Sequence, residues 1–455
     1  MRAPSPLFLQ LAFLLAVALA AGGGGVGAAG GNLAVQLAAI GLLAWNGPAI
    51  GAVLWRASRP LTILLALTLA VPLVQLVPLP PAIWQALPGR GLEKEALALI
   101  GQAQSWRPIS VSPARTIVGF LGLIAPITVL LLALRVTEKR DQMLMLVVLG
   151  GVLVVLLGGV QLASGGTAGM IYAEDIGSSE LFGTFANRNT SGLFLVLALT
   201  ALISRGRFDR GRFLNPATIA GIGLGAVFCF AIILSHSRSA MALMLIPLLY
   251  LASRALPSLR AATARQPRAI LLVLAPAFLV IVTGVGLLVQ GNDRIHNAVA
   301  RFDDLQAVRL WIWDDTISSA KRFWPVGAGV GTFDEVFQID ESIEYLEPTR
   351  AGRAHDELLE QAVESGIFGV ALTLAWLGWL GATTFRALAG RDSPGRSAAA
   401  IMLCCIAFQS VLDYPLRNQT ILCLAAMLVA ILIGKSRSAG KSSGSDSLVR
   451  GGNRA

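Results

Sequence analysis

The sequence predicts an all-α, polytopic integral membrane protein with about 12 transmembrane helices, and three observations carry that expectation. Of the 455 residues, 55% are hydrophobic and only 14% are charged, and the mean hydropathy is +0.70; soluble domains carry about a quarter charged residues. The apolar residues fall in blocks of about 15–23, the length that spans the roughly 30 Å hydrocarbon layer. Too many of these blocks lack any polar face for a large soluble helical protein.

In order, the blocks cover residues 7–21, 33–55, 61–77, 116–134, 143–162, 191–203, 218–234, 239–252, 269–289, 367–385, 398–411 and 420–433. The first block follows Arg2 and has the features of a signal-peptide core, with a cleavage-like Ala18-Leu19-Ala20. A retained helix is the preferred reading, and the remaining topology is the same either way. Asn46-Gly47-Pro48 predicts a kink in the second block.

With both termini on one side, twelve crossings sort the charge sharply. The loops beginning at Arg56, Arg135, Arg205, Arg254 and Arg386, with Arg2 and the tail, hold 22 Lys/Arg against 5 Asp/Glu; the opposite face holds 14 against 21. The faces thus carry near +17 and −7, the pattern expected when basic loops stay cytoplasmic. The net charge of +10 follows from membrane orientation and excludes the need for a nucleic-acid partner. The expected domains are a membrane domain over 1–434 and a disordered, basic cytoplasmic tail over 435–455, rich in Ser and Gly. That tail either touches anionic membrane lipid or is simply solvated. The four cysteines, Cys229, Cys404, Cys405 and Cys423, all lie in apolar blocks without metal-ligand spacing and read as small core residues.

Two outward segments are long, 79–115 and 290–366, and long loops in compact proteins carry function. The second opens with Arg294, His296 and Arg301 and continues through Arg309-Leu310-Trp311-Ile312-Trp313-Asp314-Asp315. The stretch 298–324 reads as an amphipathic helix whose tryptophans anchor the loop at the membrane interface. Pro325-Val326-Gly327-Ala328-Gly329-Val330-Gly331-Thr332-Phe333 lacks the Lys-Ser/Thr of a P-loop and reads as a tight turn, one that could also bring backbone N–H groups to a ligand. The loop closes with His355-Asp356 and a run to Glu364-Ser365-Gly366. Asp356, Glu360 and Glu364 are four apart and so are expected on one helix face. His355 is one of three histidines in the chain and precedes a membrane segment, which sets a catalytic reading beside the structural one.

Two shorter outward connections add arginines. Phe182-Gly183-Thr184-Phe185-Ala186-Asn187-Arg188-Asn189-Thr190-Ser191-Gly192 places Arg188 at the mouth of a helix. Ser235-His236-Ser237-Arg238-Ser239-Ala240 is too short to carry Arg238 far from hydrocarbon. A charge held at that depth marks a functional site unless it snorkels to lipid phosphates. Asp413-Tyr414-Pro415-Leu416-Arg417-Asn418 is a third, weaker connection of this kind. Guanidinium groups grip phosphate oxygens through paired hydrogen bonds and keep their charge. A neighbouring His or carboxylate can take a proton from an attacking hydroxyl. Together they suit glycosyl transfer from a lipid-linked pyrophosphate, with neither metal, cofactor nor ATP.

From about residue 182 to 418 the chain resembles the O-antigen ligase and polymerase superfamily. The resemblance rests on Gly183-Thr184-Phe185-Ala186-Asn187-Arg188-Asn189, Ser237-Arg238-Ser239, Arg309 with Trp313, the Gly327–Phe333 turn, and His355 with Glu364-Ser365-Gly366. It implies a multi-pass glycosyltransferase of the bacterial inner membrane, with N and C termini cytoplasmic and a periplasmic loop over 290–366. The donor it implies is an undecaprenyl-diphosphate-linked glycan; the acceptor is a glycan or lipid A-core. On the resemblance, Arg238 and Arg309 correspond to pyrophosphate-binding arginines and His355 to the histidine that activates or orients the acceptor hydroxyl. Arg188 would add positive charge, with Asn187, Asn189, Asp356 and Arg417 completing the binding set. Asp356 stands where many relatives have Asn. The 79–115 loop, with Trp84, Pro88-Gly89-Arg90 and Trp106-Arg107-Pro108, either helps select the acceptor or caps the fold. A flippase of lipid-linked oligosaccharide is the alternative; it would need polar residues along a path at the midplane, where these blocks are almost free of charge.

Overall fold

A computed structural model describes residues 5–25, 27–47, 53–54, 58–206, 216–263, 302–345, 351–390 and 393–434. It is mostly helical. The helices used below are α1 (Pro6–Ala21), α2 (Ala29–Asn46), α3 (Arg59–Gln75), α4 (Pro81–Trp84), α5 (Gly91–Leu99), α6 (Pro113–Gly122), α7 (Ile124–Arg135), α8 (Arg140–Ala163), α9 (Arg188–Arg205) and α10 (Pro216–Leu234). They continue with α11 (Arg238–Leu243), α12 (Leu245–Thr263), α13 (Phe302–Phe323), α14 (Phe333–Asp340), α15 (Glu357–Ala389), α16 (Pro394–Gln409) and α17 (Gln419–Ile433). Each apolar block of the sequence overlaps a helix except 269–289, which lies outside the described residues, as do His296, Arg294, Arg301 and the tail. Five helical stretches are long and apolar enough to cross a membrane: Pro113–Arg135, Thr137–Ala163, Pro216–Leu234, Arg238–Leu256 and Glu357–Ala389. The 116–134 block, expected as one helix, is broken at Leu123 between α6 and α7.

Burial separates inner helices from outer ones. From Thr190 to Ala201 every residue of α9 is buried, because α8, α10, α11 and α16 pack around it. The last helix, α17, is likewise enclosed, by α1, α7 and α16. The outer helices turn large apolar side chains outward, as Leu149, Leu153, Leu156 and Val160 do on α8. Their three-and-four spacing makes a single apolar stripe, which in water would be an aggregation surface and in a bilayer is a lipid contact.

One end of the bundle is basic. Arg254 donates to the carbonyls of Ile203 (2.7 Å) and Gly206 (3.0 Å) at the end of α9, and Arg396 to Leu432 O (2.9 Å) at the end of α17. Lone carbonyls at helix C-termini favour cations, so these arginines close the helices they face. Arg140 reaches Ser393 Oγ at 2.7 Å across the same end.

The other end carries a cap with its own small core, Phe323, Ala328, Phe333, Val336, Phe337, Ala354 and Val363. The 79–115 segment folds as a two-residue antiparallel ladder, Pro78 opposite Pro108 and Leu79 opposite Arg107, with α4 and α5 between. Trp84 is fully buried and donates to Ser105 O at 3.0 Å, and Arg115 pairs with Glu335 of α14. This segment is therefore built into the cap.

The glycine-rich turn is the hinge pin of the cap. At Gly366 the backbone leaves the helical region (φ 56°, ψ −142°), which frees the carbonyls of Val363 and Glu364 from the helix ladder. Ala328 and Gly329 donate their N–H groups to these two carbonyls at 2.9 and 2.8 Å, and Ile367 N–H donates to Pro325 O at 3.0 Å. Gln75 clamps the joint, donating to Glu364 O and accepting from Val330 N–H, both at 2.9 Å. The turn's N–H groups are thus used structurally, as the tight-turn reading expects. A Cβ on Gly366 would lie 2.0 Å from Pro325 O. Gly366→Ala is therefore expected to destabilise the protein by at least about 2 kcal/mol, from left-handed strain plus lost docking bonds. Thermal unfolding in detergent checks this; an unchanged midpoint would show that the turn is not held by the kink.

Candidate functional site

Three of the short connections meet at the cap end of the bundle. The 182–192 turn is pinned by Gln161 of α8, which accepts from Gly183 N–H and donates to Gly183 O, both at 2.8 Å. The turn ends at Asn187, which caps α9 by accepting from Asn189 N–H at 2.8 Å, the usual way an N-terminal orphan donor is satisfied. Ser237 caps α11 by accepting from Ala240 N–H at 3.2 Å. The two caps are joined, since Ser237 Oγ donates to Asn189 Oδ1 at 2.9 Å. Gly192 allows the approach: a Cβ there would lie 2.5 Å from Ala240 Cβ.

His355 enters from the cap. Trp313 Nε1 donates to Ala354 O at 3.0 Å on one side of it, and Asp356 caps α15 on the other, accepting from Leu359 N–H at 2.9 Å. Between them His355 sits at φ 53°, a region that non-glycine residues enter rarely and mostly where surrounding contacts impose it. Its Nδ1 lies 3.3 Å from Asp413 Oδ1, and its ring meets Tyr414 edge-on at 5.1 Å. Asp413 is buried, and its second oxygen accepts from Asn187 Nδ2 at 3.2 Å. A continuous polar chain therefore runs His355–Asp413–Asn187, and through the α9 cap to Asn189 and Ser237, next to Arg238. Burial, with the Asp413 carboxylate beside it, pushes the Tyr414 hydroxyl up to about 12.

Behind this chain lies a charge cluster. Arg417 places Nε 3.3 Å from Glu360 and donates to Glu364 Oε2 at 2.8 Å, while Arg353 donates to the same Glu360 at 2.6 Å. Burial by itself would lower the Arg417 pKa, but the carboxylates of Glu360, Glu364 and Glu357 outweigh it and raise it. The acidic face expected to join Asp356, Glu360 and Glu364 is corrected: α15 starts at Glu357, so the buried face is Glu357, Glu360 and Glu364. Asp356 sits in extended backbone with its carboxylate turned onto the helix end. Its pKa is raised by burial against the opposing pull of the cap hydrogen bonds.

The structure therefore brings together His355, Asn187 and Asn189, with Arg238 at the first position of α11. Arg188 pairs with Glu180, which also lies 4.0 Å from His236 Nδ1. Arg417 faces the buried acids. Arg309 is on α13 one turn before Trp313, and its side chain lies outside the described residues. Sequence reasoning gave no role to Asp413, Tyr414, Glu180 or Arg353. The available signal was the shortness of the 413–418 connection, which confines its polar side chains to the helix ends.

Residues 223–374 match the family model described as O-Antigen ligase. The matched segment runs from within α10 to within α15 and contains Arg238, Arg309 and His355. It supports an O-antigen ligase-related family and, with the apolar helices, a membrane protein of the glycosyl-transferring ligase or polymerase class. Curated proteins give no match to the chain.

Proposed function

We propose that this protein is a metal-independent glycosyltransferase of the bacterial inner membrane, working at the periplasmic face on an undecaprenyl-diphosphate-linked glycan. The observation that carries the reading is the His355–Asp413 pair. A carboxylate accepting from Nδ1–H fixes the tautomer and leaves Nε2 as the proton acceptor. In the proposed reaction Nε2 takes the proton of an acceptor hydroxyl, on a glycan or lipid A-core. That oxygen attacks the anomeric carbon, and the bond from this carbon to the pyrophosphate oxygen breaks. Arg238 and Arg309, with Arg188, balance the charge of the departing diphosphate, the stabilisation that matters most where charge develops. Twelve crossings with both termini cytoplasmic would put the basic end inside and the His355 end outside.

Deleting the gene in its host and identifying the glycan that accumulates tests this. Full-length polymer on the lipid carrier with bare acceptor is the ligase outcome, and single carrier-linked repeats on the outer face are the polymerase outcome. Intermediates trapped on the cytoplasmic face would mean a flippase and would sink the enzymatic reading. In complementation, Arg238→Ala is expected to cut transfer by about 10²-fold or more, as loss of one charge-stabilising donor does. Full transfer by a folded Arg238→Ala protein would remove this arginine from the donor site.

A further inference from the structure

Arg417 lies beside the candidate site, and its charge is of the kind that holds a phosphate, yet its surroundings assign it other work. We propose that Arg417, Glu360, Glu364 and Arg353 form a positioning clamp that sets the geometry between His355 and Asp413, and that Arg417 does not bind the donor. The inference rests on the reading of His355 as the proton acceptor.

The clamp follows from where its members sit in the chain. Arg353 is two residues before His355, and Arg417 is four residues after Asp413. Both guanidinium groups close on the one carboxylate of Glu360. The segment that carries His355 and the connection that carries Asp413 are thus tied to a single side chain on the first turn of α15. Two further bonds hold the same connection on either side of Asp413: Glu357 N–H donates to Ser410 O at 3.0 Å, and Leu416 N–H donates to Glu357 Oε1 at 2.6 Å. By comparison, the direct link between His355 and Asp413 is one 3.3 Å contact. A single hydrogen bond of that length does not fix two loops, whereas the bonds of Arg353 to Glu360 at 2.6 Å and of Arg417 to Glu364 at 2.8 Å tie both to one helix. The spacing that orients the imidazole is inherited from the clamp.

The same geometry takes Arg417 out of contention for the pyrophosphate. Its Nε and one terminal nitrogen are already engaged with Glu360 and Glu364, both fully buried. A phosphate gripping that same edge would have to displace two carboxylates that cannot reach water, leaving them uncompensated in a poorly polarisable interior. A misplacement of about 1 Å at a reacting group is enough to cost about 10²-fold in rate, so a positioning role accounts for a strong effect on turnover without any donor contact.

The test uses full-length protein in lipid nanodiscs. Donor-site affinity is measured with undecaprenyl diphosphate as the probe, and turnover with carrier-linked glycan from the host's deletion strain. Arg417→Lys and Glu364→Gln are expected to lower kcat about tenfold to a hundredfold, with undecaprenyl diphosphate affinity within about twofold of wild type. Arg417→Lys added to Asp413→Asn is expected to cause no further loss, because both act through His355. An affinity loss of tenfold or more with kcat retained would make Arg417 a donor ligand and overturn the proposal. Unchanged kcat, or losses that multiply with Asp413→Asn, would overturn it as well. Should Arg417→Lys fail to fold, the paired Arg417→Met/Glu364→Met replacement, which removes both charges together, and Arg353→Lys at the exposed edge of the clamp take its place with the same expectations. Retained activity in His355→Gln would instead sink the reading of His355, and is scored separately.

Discussion

Replacing His355 with Gln is expected to lower glycan transfer by about 10²–10⁴-fold, the range that a positioned proton acceptor contributes. Gln keeps an amide that can still meet Asp413 Oδ1 and imposes no new backbone conformation on a position already at φ 53°. The variant therefore separates proton transfer from architecture. Asp413→Asn is expected to fall in the same direction by about 10²-fold or more. An amide presented to Nδ1 no longer selects the tautomer with Nε2 free, a change that costs about 10⁴-fold in the serine-protease triad. Asn187 would still find an oxygen partner at residue 413, so the α9 cap survives. The measurement is conversion of carrier-linked glycan by purified variants whose thermal unfolding matches wild type. Full activity in His355→Gln would remove the proton acceptor from the mechanism.

The helical layout was largely legible because one physical quantity controls it. Hydrocarbon tolerates no unpaired backbone, so apolar length alone marked the blocks that coincide with α1, α3, α8 and α17. What composition cannot mark is where a helix starts relative to a capping residue. Asp356 was expected on the face of Glu360 and Glu364 because its spacing fits; Asp356 instead takes the N-cap, and Glu357 replaces it on that face. The break at Leu123 has a local cause that apolar length does not register: Pro126 has no N–H to give Gly122 O, and Gln419 Nε2 donates there instead at 2.9 Å. The short ladder at 78–79 and 107–108 is set by packing between segments, and local sequence carries no period for it.

The site divides in the same way. Arg238, Asn187, Asn189 and His355 were visible one by one: Arg238 because its connection is too short to move it from the membrane, His355 as one of three histidines and just before a membrane segment, and the two Asn as the neighbours of Arg188 at a helix mouth. Their assembly was not visible. Asp413 stands 58 positions from His355, in the connection with the weakest signal, and a pair so separated leaves no trace in periodicity. Glu180 and Arg353 look like ordinary loop charges until Arg188 and Glu360 are seen against them. Arg417 shows the limit most clearly: its residue type suggests phosphate, and only the two buried carboxylates around it point to another partner.

The largest effect on stability is expected at Glu360. Glu360→Ala should destabilise the protein by about 3–5 kcal/mol, the cost of removing one partner from a buried ion-pair cluster. Glu360 is fully buried and is shared by two arginines, Arg353 with its side chain 37% exposed and Arg417 at 17%. Their exposures set the asymmetry of the loss. Arg353 can turn to water when the carboxylate goes; Arg353→Ala in turn leaves Glu360 paired with Arg417, so that variant should cost less, about 1 kcal/mol. Arg417, at 17%, turns to water less readily: it keeps Glu364, and the Nε that met Glu360 loses its partner. The two single variants, compared by thermal unfolding in detergent, thus read the cluster from opposite sides. Equal, small shifts would mean that water enters where Glu360 was, and that the charges behind His355 are solvated rather than locked together.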